Sequence, residues 1–403
     1  MLDVKKNNRG YILSHIYRAG SMSRKALAKK LGLTPAAITL ITNDLIHENL
    51  LLETSSTVST NKKGRKEVLL QLNTGQLCVI GININKHQFS FMCMDLASNV
   101  IFEEGGTTRD LHRKSEWILR RVATAVTKNI RKHKLLENYT LIGVGVSVIG
   151  LVDPVRGISV DSYNVMENNV HIRDALEPIF GVPVLLTNNV CSLAHGENML
   201  SGQTKHFNDM LFIRYSPGLG ATRLLYENAF SVFDYKVIEL GHMIVQPGGQ
   251  PCMCGNQGCL ETIIGYTAIQ SNIRNLFNEH SAPYLYELIQ GDIGNMDYFK
   301  IMQAYDAGDK LVIQVIDRVV AALALAVQNA VRMFDPQTVV FYGEIFDCKT
   351  FSNRLLEEIQ AYVRAPKVVF SQYNMKLETF GPASTAISLF FENGGVLKTA
   401  AAS

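Results

Sequence analysis

The chain contains one histidine and three cysteines whose spacing is suited to metal binding, in the run GHMIVQPGGQPCMCGNQGCLET. Three thiolates and one imidazole form a complete tetrahedral ligand set for Zn²⁺, and they leave no position for water. Such a closed set is typical of a structural site, so we expect one structural zinc ion per chain. The alternative is three unrelated thiols in a glycine-rich loop. The expected ligands are His242, Cys252, Cys254 and Cys259, and the glycines that allow the sulfurs to converge are Gly255 and Gly258.

Two carboxylates flank this loop. Glu239 precedes His242 by three residues, and Glu261 follows Cys259 by two. Carboxylates on a rigid loop can accept hydrogen bonds from the hydroxyls of a polyol, and a zinc-bound histidine has a second ring N–H that can donate. We therefore expect Glu239, His242 and Glu261 to contact a sugar. The alternative is that the two glutamates are simply exposed.

The N-terminal residues have the pattern of a DNA-binding head. Ser23 and Thr34 can each cap a short helix, Gly32 ends the first of these helices, and Pro35 suits the first position of the second. Two short helices joined by a glycine-bearing turn predict a helix-turn-helix. The apolar residues of the second helix recur with helical spacing and form its expected buried stripe, which consists of Ile38, Ile41 and Leu45.

The opposite face of the second helix is small and polar, which suits a helix in the major groove. There threonine can contact a thymine methyl and asparagine can pair with adenine. Two strand-like runs enclose the basic loop 54–66 and predict a wing that meets the DNA backbone or minor groove. The alternative is a plain helical hairpin with a solvated linker. The expected DNA-binding residues are Arg24, Pro35, Ala36, Thr39, Asn43, Lys62, Lys63, Arg65 and Lys66.

The charge distribution agrees with a head that binds DNA. Residues 1–70 hold twelve Lys and Arg against five Asp and Glu, a net charge of +7, whereas the rest of the chain carries −4. The composition is that of a globular protein, with 47% hydrophobic residues. No membrane span or secretory signal is expected, and the apolar run 319–334, which contains Gln328, Asn329 and Arg332, predicts a buried helix. These features favour a cytoplasmic protein.

From Ile142 to the C terminus the sequence resembles the ROK family of sugar kinases and repressors, and the head resembles the extension that its repressor members carry. The most specific motifs are IELGHM and CMCGNQGCLE, and the runs GVGVSVIGLVDPVRG, SYNVMENN and GVPVLLTNNVCSLAHGE agree in order. The resemblance implies an α/β body of the actin/hexokinase type (RNase H-like), with two lobes and a cleft between them. Strand-like runs support the α/β class independently: Leu77–Ile84, Leu141–Val148, Val184–Leu186, Met210–Arg214 and Thr338–Phe341.

The expected organisation follows from this resemblance. A winged helix-turn-helix domain covers 1–72, a first lobe covers 76–190 and is completed by a C-terminal helix at about 383–403, and a second lobe over 191–382 holds the zinc loop and an oligomerisation surface. The resemblance also implies sugar contacts in the first lobe. Together with the residues beside the zinc loop, the expected sugar-binding set is Gly150, Asn164, Asn188, Asn189, Glu239, His242 and Glu261.

The sequence departs from the family's kinases where phosphoryl transfer needs side chains. The kinases carry an acid–asparagine–aspartate triplet whose aspartate accepts the proton of the attacking hydroxyl, but this chain has Thr187-Asn188-Asn189. An amide cannot act as that base. The phosphate turn is replaced by 83–87, and in the second phosphate loop, 216–222, Pro217 removes a backbone donor and Thr222 hinders close approach. We therefore expect no catalytic residue.

Together these features predict a homo-oligomeric transcriptional repressor of carbohydrate-metabolism genes, either a homodimer or a dimer of dimers. Its partners are double-stranded operator DNA and a monosaccharide or sugar derivative. Closure of the lobes on sugar is expected to change the spacing of paired heads, which must match the half-sites of the operator. The alternatives are an active sugar kinase, a repressor controlled by a protein partner, and an activator.

Overall fold

The computed structural model describes residues 2–54, 67–109, 114–200, 208–215, 218–225, 235–361, 366–371 and 376–396. The chain divides into two compact units. The first contains Met1–His206, Tyr226–Tyr235 and Met375–Ser403, and the second contains Phe207–Leu225 and Lys236–Asn374.

The first unit begins with the head and continues into an α/β body. The head elements are α1 (Leu2–Ala19), β1 (Met22–Ser23), α2 (Arg24–Leu31), α3 (Pro35–His47), β2 (Leu51–Thr54) and β3 (Leu69–Leu72). The body elements are β4 (Leu77–Ile84), β5 (Gln88–Asp95), β6 (Val100–Thr107), α4 (Ser115–Lys132), α5 (Leu135–Asn138), β7 (Thr140–Val148), β8 (Leu151–Asp153), β9 (Ile158–Asp161), β10 (Val170–His171), α6 (Ile172–Phe180), β11 (Val184–Asn188), α7 (Asn189–Leu200) and the C-terminal α14 (Leu377–Glu392).

The second unit is also built from helices and strands, together with three short 3₁₀ helices among its described residues. Its elements are β12 (Asp209–Tyr215), β13 (Leu219–Leu225), β14 (Tyr235–Ile238), α8 (Glu261–Ile264), α9 (Tyr266–Arg274), α10 (Pro283–Leu288), α11 (Tyr298–Ala307), α12 (Lys310–Phe334), β15 (Thr338–Tyr342), α13 (Lys349–Gln360) and β16 (Lys367–Phe370), with 3₁₀ turns at Leu240–His242, Ile293–Asn295 and Glu344–Asp347.

Within the described residues, each unit contains a five-stranded mixed sheet, and the two sheets have the same strand order. The first runs β6-β5-β4-β7-β11 and the second β14-β13-β12-β15-β16. In both sheets the central strand pairs antiparallel with the strand that follows it in sequence and parallel with the strand on its other side. The α/β class and the five strands predicted from the sequence are confirmed.

The C-terminal helix α14 lies directly on the sheet of the first unit because two strand glycines leave room for it. A Cβ at Gly81 would lie 2.2 Å from the Thr379 carbonyl oxygen, and one at Gly145 would lie 1.7 Å from that of Pro382. The helix α7 belongs to this unit as well, because it also packs against α14. The observed first unit therefore extends beyond position 190 and includes the head, which differs from the three segments expected from the sequence.

One helix among the described residues, α12, is long and apolar enough to cross a membrane by length and composition. Its apolar positions recur every three to four residues, and it is the central helix of the core of the second unit. Val319, Leu323 and Val327 are fully or almost fully buried there. The prediction of a buried helix over 319–334 is confirmed.

Candidate functional site

The head has the local geometry expected of a helix-turn-helix. Ser23 Oγ accepts a hydrogen bond from the backbone N–H of Ala26, and Thr34 Oγ1 accepts one from Ala37. Gly32 ends α2 in the left-handed conformation, with φ of +64°, which glycine adopts without strain. Pro35 occupies the first turn of α3, where its missing N–H is not needed.

The helix α3 presents a small, polar face to solvent. The expected buried stripe is confirmed, since Ile38, Ile41 and Leu45 are buried. The opposite side contains the residues predicted to read DNA, and all four of them are exposed together with Leu40: Pro35, Ala36, Thr39 and Asn43. A helix with such a face can approach the floor of a major groove.

Arg24, which is expected to contact DNA, also connects three elements of the head. Its guanidinium donates from Nε to Thr42 Oγ1 at 3.0 Å and from Nη2 to Asn43 Oδ1 at 3.1 Å, and its Nη1 lies 2.8 Å from Glu53 Oε1. A guanidinium only donates hydrogen bonds, so the amide oxygen of Asn43 faces Arg24 and its NH₂ group is directed elsewhere. Arg24 thus fixes both α3 and the adjacent strand β2.

The strands of the predicted wing are present. The strands β2 and β3 pair antiparallel from Leu51 opposite Leu72 to Thr54 opposite Leu69, and β1 adds a third strand beside β3. The loop between them, which contains Lys62, Lys63, Arg65 and Lys66, lies outside the described residues.

The predicted metal ligands come together. Cys252 Sγ lies 3.5 Å from His242 Nδ1, Cys254 Sγ lies 3.6 Å from Cys259 Sγ, and one ligand atom from each residue lies within 4.8 Å of the other three. Ligand atoms bound to one zinc ion at about 2.3 Å are separated by about 3.8 Å in a tetrahedral arrangement. The four side chains therefore fit a single metal ion of this size.

The local backbone explains why these sulfurs converge. Gly255 and Gly258 have φ of +91° and +76°, the left-handed region that favours glycine. At Gly258 a Cβ would also lie 1.7 Å from the Gln246 carbonyl oxygen, so no larger residue fits. Burial raises the pKa of the Cys259 thiol.

The residues beside this metal centre are arranged for polar contacts. Because Nδ1 of His242 faces the thiols, its Nε2 is left for a second partner. The Glu261 carboxylate lies close to Gly241, where a Cβ would be 3.2 Å from Oε2. Burial raises the pKa of Glu261, opposed by the Leu219 backbone N–H and the His242 charge. Glu239 is exposed and directly precedes the 3₁₀ turn that ends with His242.

In the first unit, the two neighbouring asparagines that are predicted to bind sugar have different environments. Asn188 is buried and donates from Nδ2 to the Gly150 carbonyl at 2.6 Å, while its Oδ1 accepts from the backbone N–H of Val190 at 2.8 Å. It therefore caps α7 and fixes Gly150, whose φ is +97°. Among the described residues, no hydrogen bond engages the side-chain amide of Asn189, the first residue of α7.

Asn164 lies in a strained turn. Tyr163 and Asn164 have φ of +48° and +67°, a conformation that non-glycine residues adopt rarely and mostly where the surroundings require it. Asp161 Oδ1 holds the turn by accepting from the Tyr163 backbone N–H at 2.8 Å. Tyr163 is 53% exposed, so an aromatic ring lies next to the predicted sugar contact. The sequence pattern alone did not identify Tyr163.

The model of the ROK family matches residues 79–390. The DNA-binding transcriptional dual regulator NagC of Escherichia coli K12 is 30% identical over 344 residues, which are 85% of this chain and 81% of NagC. The chain belongs to the ROK family.

Two further similarities extend over the head of this ROK protein. The xylose repressor of Caldicellulosiruptor bescii is 25% identical over 381 residues, 93% of this chain and 92% of that protein. The crystal structure of a ROK family transcriptional regulator, a homologue of the E. coli MLC protein, superposes with a TM-score of 0.81 at 23% identity and covers 97% of this chain and 98% of that one. At this identity the superposition shows the fold.

The segment that corresponds, by the family resemblance, to the phosphate turn of the kinases is hydrogen-bonded to a glutamate of α14. Asn83 is buried and donates from Nδ2 to Glu378 Oε2 at 2.6 Å, and Asn85 donates to the same oxygen at 3.4 Å. Ser147 Oγ donates to Asn83 Oδ1 and so fixes the orientation of that amide. A carboxylate of α14 thus accepts hydrogen bonds from both asparagine side chains of this segment.

One expectation about the second phosphate loop of this ROK protein is wrong. Thr222 lies inside strand β13, where it pairs with Phe212 of β12, and it is fully buried. It is therefore part of the sheet and does not hinder a ligand at a loop. Ser216 and Pro217 lie outside the described residues.

Proposed function

We propose that this ROK protein is a sugar-responsive transcriptional repressor whose body does not catalyse phosphoryl transfer. The observation that carries the proposal is the correctly capped helix-turn-helix with its exposed small and polar face on α3. Relatives that this chain matches over 85% and 93% of its length are named N-acetylglucosamine repressor and xylose repressor. The protein acts in the cytoplasm as a homo-oligomer that places two heads on operator half-sites.

We propose that Ala36, Thr39 and Asn43 of α3 read base edges and that the basic loop 55–66 binds phosphates. The net charge of +7 on residues 1–70 supports a polyanionic partner. Because Arg24 donates to the oxygen of Asn43, we expect the NH₂ group of that amide to make the base contact. Arg24 itself positions α3 and does not need to touch DNA.

The sugar effector is proposed to bind through the polar groups described above on each unit. On the first unit these are Asn164, Asn189 and the strained Gly150 turn, with Asn188 in a supporting role because its amide is used internally. On the second unit they are Glu239, Glu261 and the outer nitrogen of His242. The exposed Glu239 and the partly buried Glu261 can both accept hydrogen bonds from hydroxyl groups, which favours a polyol ligand.

A single structural zinc ion is proposed for the cluster of His242, Cys252, Cys254 and Cys259. The zinc would hold the loop that carries His242 and precedes Glu261, so its role is to fix those side chains. Four side chains with metal-ligating atoms would fill all positions of a tetrahedral ion, which supports a structural rather than a catalytic site.

The proposal is tested by measuring ATP consumption together with sugar binding. A thermal-shift panel that includes N-acetylglucosamine, D-xylose and D-glucose identifies sugars that raise the melting temperature. We expect no ATP-dependent phosphorylation of any of them, because position 189 holds no base and the Glu378 carboxylate accepts a hydrogen bond from Asn83.

Asn189→Asp serves as the matched variant in the same assay. This substitution restores a base at position 189. We still expect no useful kinase activity, because the Glu378 carboxylate continues to accept hydrogen bonds from Asn83 and Asn85. The variant should change sugar affinity, because an ionised aspartate accepts hydrogen bonds but does not donate them. Turnover of about 1 s⁻¹ or more by the natural protein, an ordinary enzymatic rate, would identify it as a kinase.

A further inference from the structure

The helices α7 and α14 cross with their backbones in contact. A Cβ at Gly196 would lie 2.9 Å from Gly381 Cα, and one at Gly381 would lie 2.6 Å from the Ser192 carbonyl oxygen. Neither distance allows an additional methyl group unless a backbone moves. Because interiors are close-packed, a shift of α7 at this crossing must displace α14.

At its other end α14 is joined to the head. Gly394 and Gly395 end the helix in the left-handed conformation, with φ of +70° and +72°. A Cβ at Gly395 would lie 2.6 Å from Leu13 Cδ1 of α1 and 3.0 Å from Leu50 Cδ1, which follows α3. The end of α14 therefore packs directly against the apolar core of the head.

A buried arginine connects the end of α14 to α3, the helix proposed to enter the major groove and called the recognition helix below. Arg9 of α1 is 7% exposed and donates from Nε to the Gly394 carbonyl at 2.7 Å. Its Nη1 and Nη2 donate to the two carboxylate oxygens of Glu48, the residue that caps the C terminus of α3. One guanidinium thus bonds to the end of α14 and to the end of α3.

An aromatic contact also joins α1 to α14. The rings of Tyr17 on α1 and Phe391 on α14 lie 5.4 Å apart between centroids.

We infer that α14 couples the Asn188–Asn189 end of α7 to the recognition helix α3, and that Arg9 is the positioning residue of this coupling. The inference rests on the proposed function, since it assigns a route by which sugar at the start of α7 acts on DNA binding. A sugar that moves α7 shifts α14 at the glycine crossing, and Arg9 carries that shift to Glu48 and α3. The head responds as part of the first unit.

The test uses amide hydrogen exchange of the full chain and replaces the sugar by a defined perturbation. Gly196→Ala forces α7 and α14 apart at the crossing, where the new methyl would meet Leu377 Cδ1 at 2.8 Å. We expect this substitution to change the exchange rates of α3 by about threefold or more, because local stability differences of under 1 kcal/mol are visible in exchange. If Gly196→Ala does not fold, Leu193→Ala perturbs the same buried segment of α7.

The decisive comparison repeats this perturbation in Arg9→Gln and, as a milder variant, in Arg9→Lys, which keeps the charge but loses the bidentate geometry. The matched control is Lys5→Gln. This substitution breaks an exposed ion pair of 2.9 Å between α1 and Asp44 of α3, and that pair does not involve α14. We expect Gly196→Ala to change the exchange rates of α3 in the Lys5→Gln background but not in the Arg9→Gln background. A merely structural role of Arg9 does not produce this non-additivity.

The inference is overturned if α3 responds to Gly196→Ala equally in the natural and Arg9→Gln backgrounds, or responds in neither. No DNA and no sugar enter this experiment. A failure to bind operator would therefore reject the proposed function and leave the coupling intact, whereas equal responses would reject the coupling alone.

Discussion

Replacing Cys254 by serine is expected to release zinc and to lower the melting temperature of the second unit by about 10 °C or more. Structural zinc sites contribute about 10–16 kcal/mol of apparent binding free energy in small domains, so loss of one thiolate removes more stabilisation than any single packing contact in this loop. Cys254 and its neighbours Met253 and Gly255 are exposed, so no buried side-chain packing stabilises this tip of the loop in place of the metal. Metal analysis and thermal unfolding measure the two effects.

The sugar response should be lost along with the metal, because the same loop carries His242 and leads into Glu261. Cys348→Ser is the matched control. Cys348 is half-buried at the N-cap of α13, where serine is a favourable residue, so we expect zinc content and melting temperature to stay unchanged. A Cys254→Ser protein that keeps full stability and full sugar response without zinc would reject the structural role of the metal.

Placing a carboxylate on the exposed face of α3 should reduce operator affinity by about 100-fold, since each good base contact contributes about 1–3 kcal/mol and a glutamate adds repulsion from phosphates. Thr39→Glu is the suitable change because Thr39 is exposed and, among the described residues, its hydroxyl donates only to the Pro35 carbonyl of its own helix. Glutamate also has good helix propensity, so the fold should persist.

Thr124→Glu on α4 provides the matched control, because Thr124 is also an exposed helical threonine but lies outside the head. It adds the same charge to the chain and should leave operator affinity within about twofold, as distant surface charges are screened by salt. Equal affinity of the Thr39→Glu and natural proteins in fluorescence anisotropy would remove α3 from the DNA interface.

Much of the head and the metal centre could be predicted because their signals are local. Ser23, Gly32, Thr34 and Pro35 each act within one helical turn, so their residue types alone specify caps and a turn. The spacing of the cysteines similarly restricts which sulfurs can share an ion. The structure confirms both the helical caps and the convergence of the four ligands.

The remaining features depend on residues far apart in the sequence. Arg24 is a residue type that often contacts DNA. Only the fold shows that its guanidinium is bonded to Thr42, Asn43 and Glu53. The bond between Asn83 and Glu378 joins positions 295 residues apart. No periodicity or spacing rule relates such pairs, so neither this bond nor the role of Arg24 could be derived from the sequence.

The assignment of α7 to the first compact unit depends on distant residues for a related reason. Strand periodicity locates β11, but whether the following helix α7 belongs to the first or the second unit depends on its partner, α14. That partner lies near the other end of the chain, and the contact between them relies on Gly196 and Gly381, which in sequence are indistinguishable from turn glycines.

The most direct test of a sugar-responsive repressor is operator release by sugar in the absence of ATP. An operator selected in vitro from random DNA with the full chain is titrated by fluorescence anisotropy, with and without each sugar that raises the melting temperature. We expect at least one monosaccharide or sugar derivative to weaken operator binding by about 5–150-fold, the usual range of allosteric coupling, with no nucleotide present. Operator binding that no bound sugar changes, or a change that requires ATP, would contradict this function.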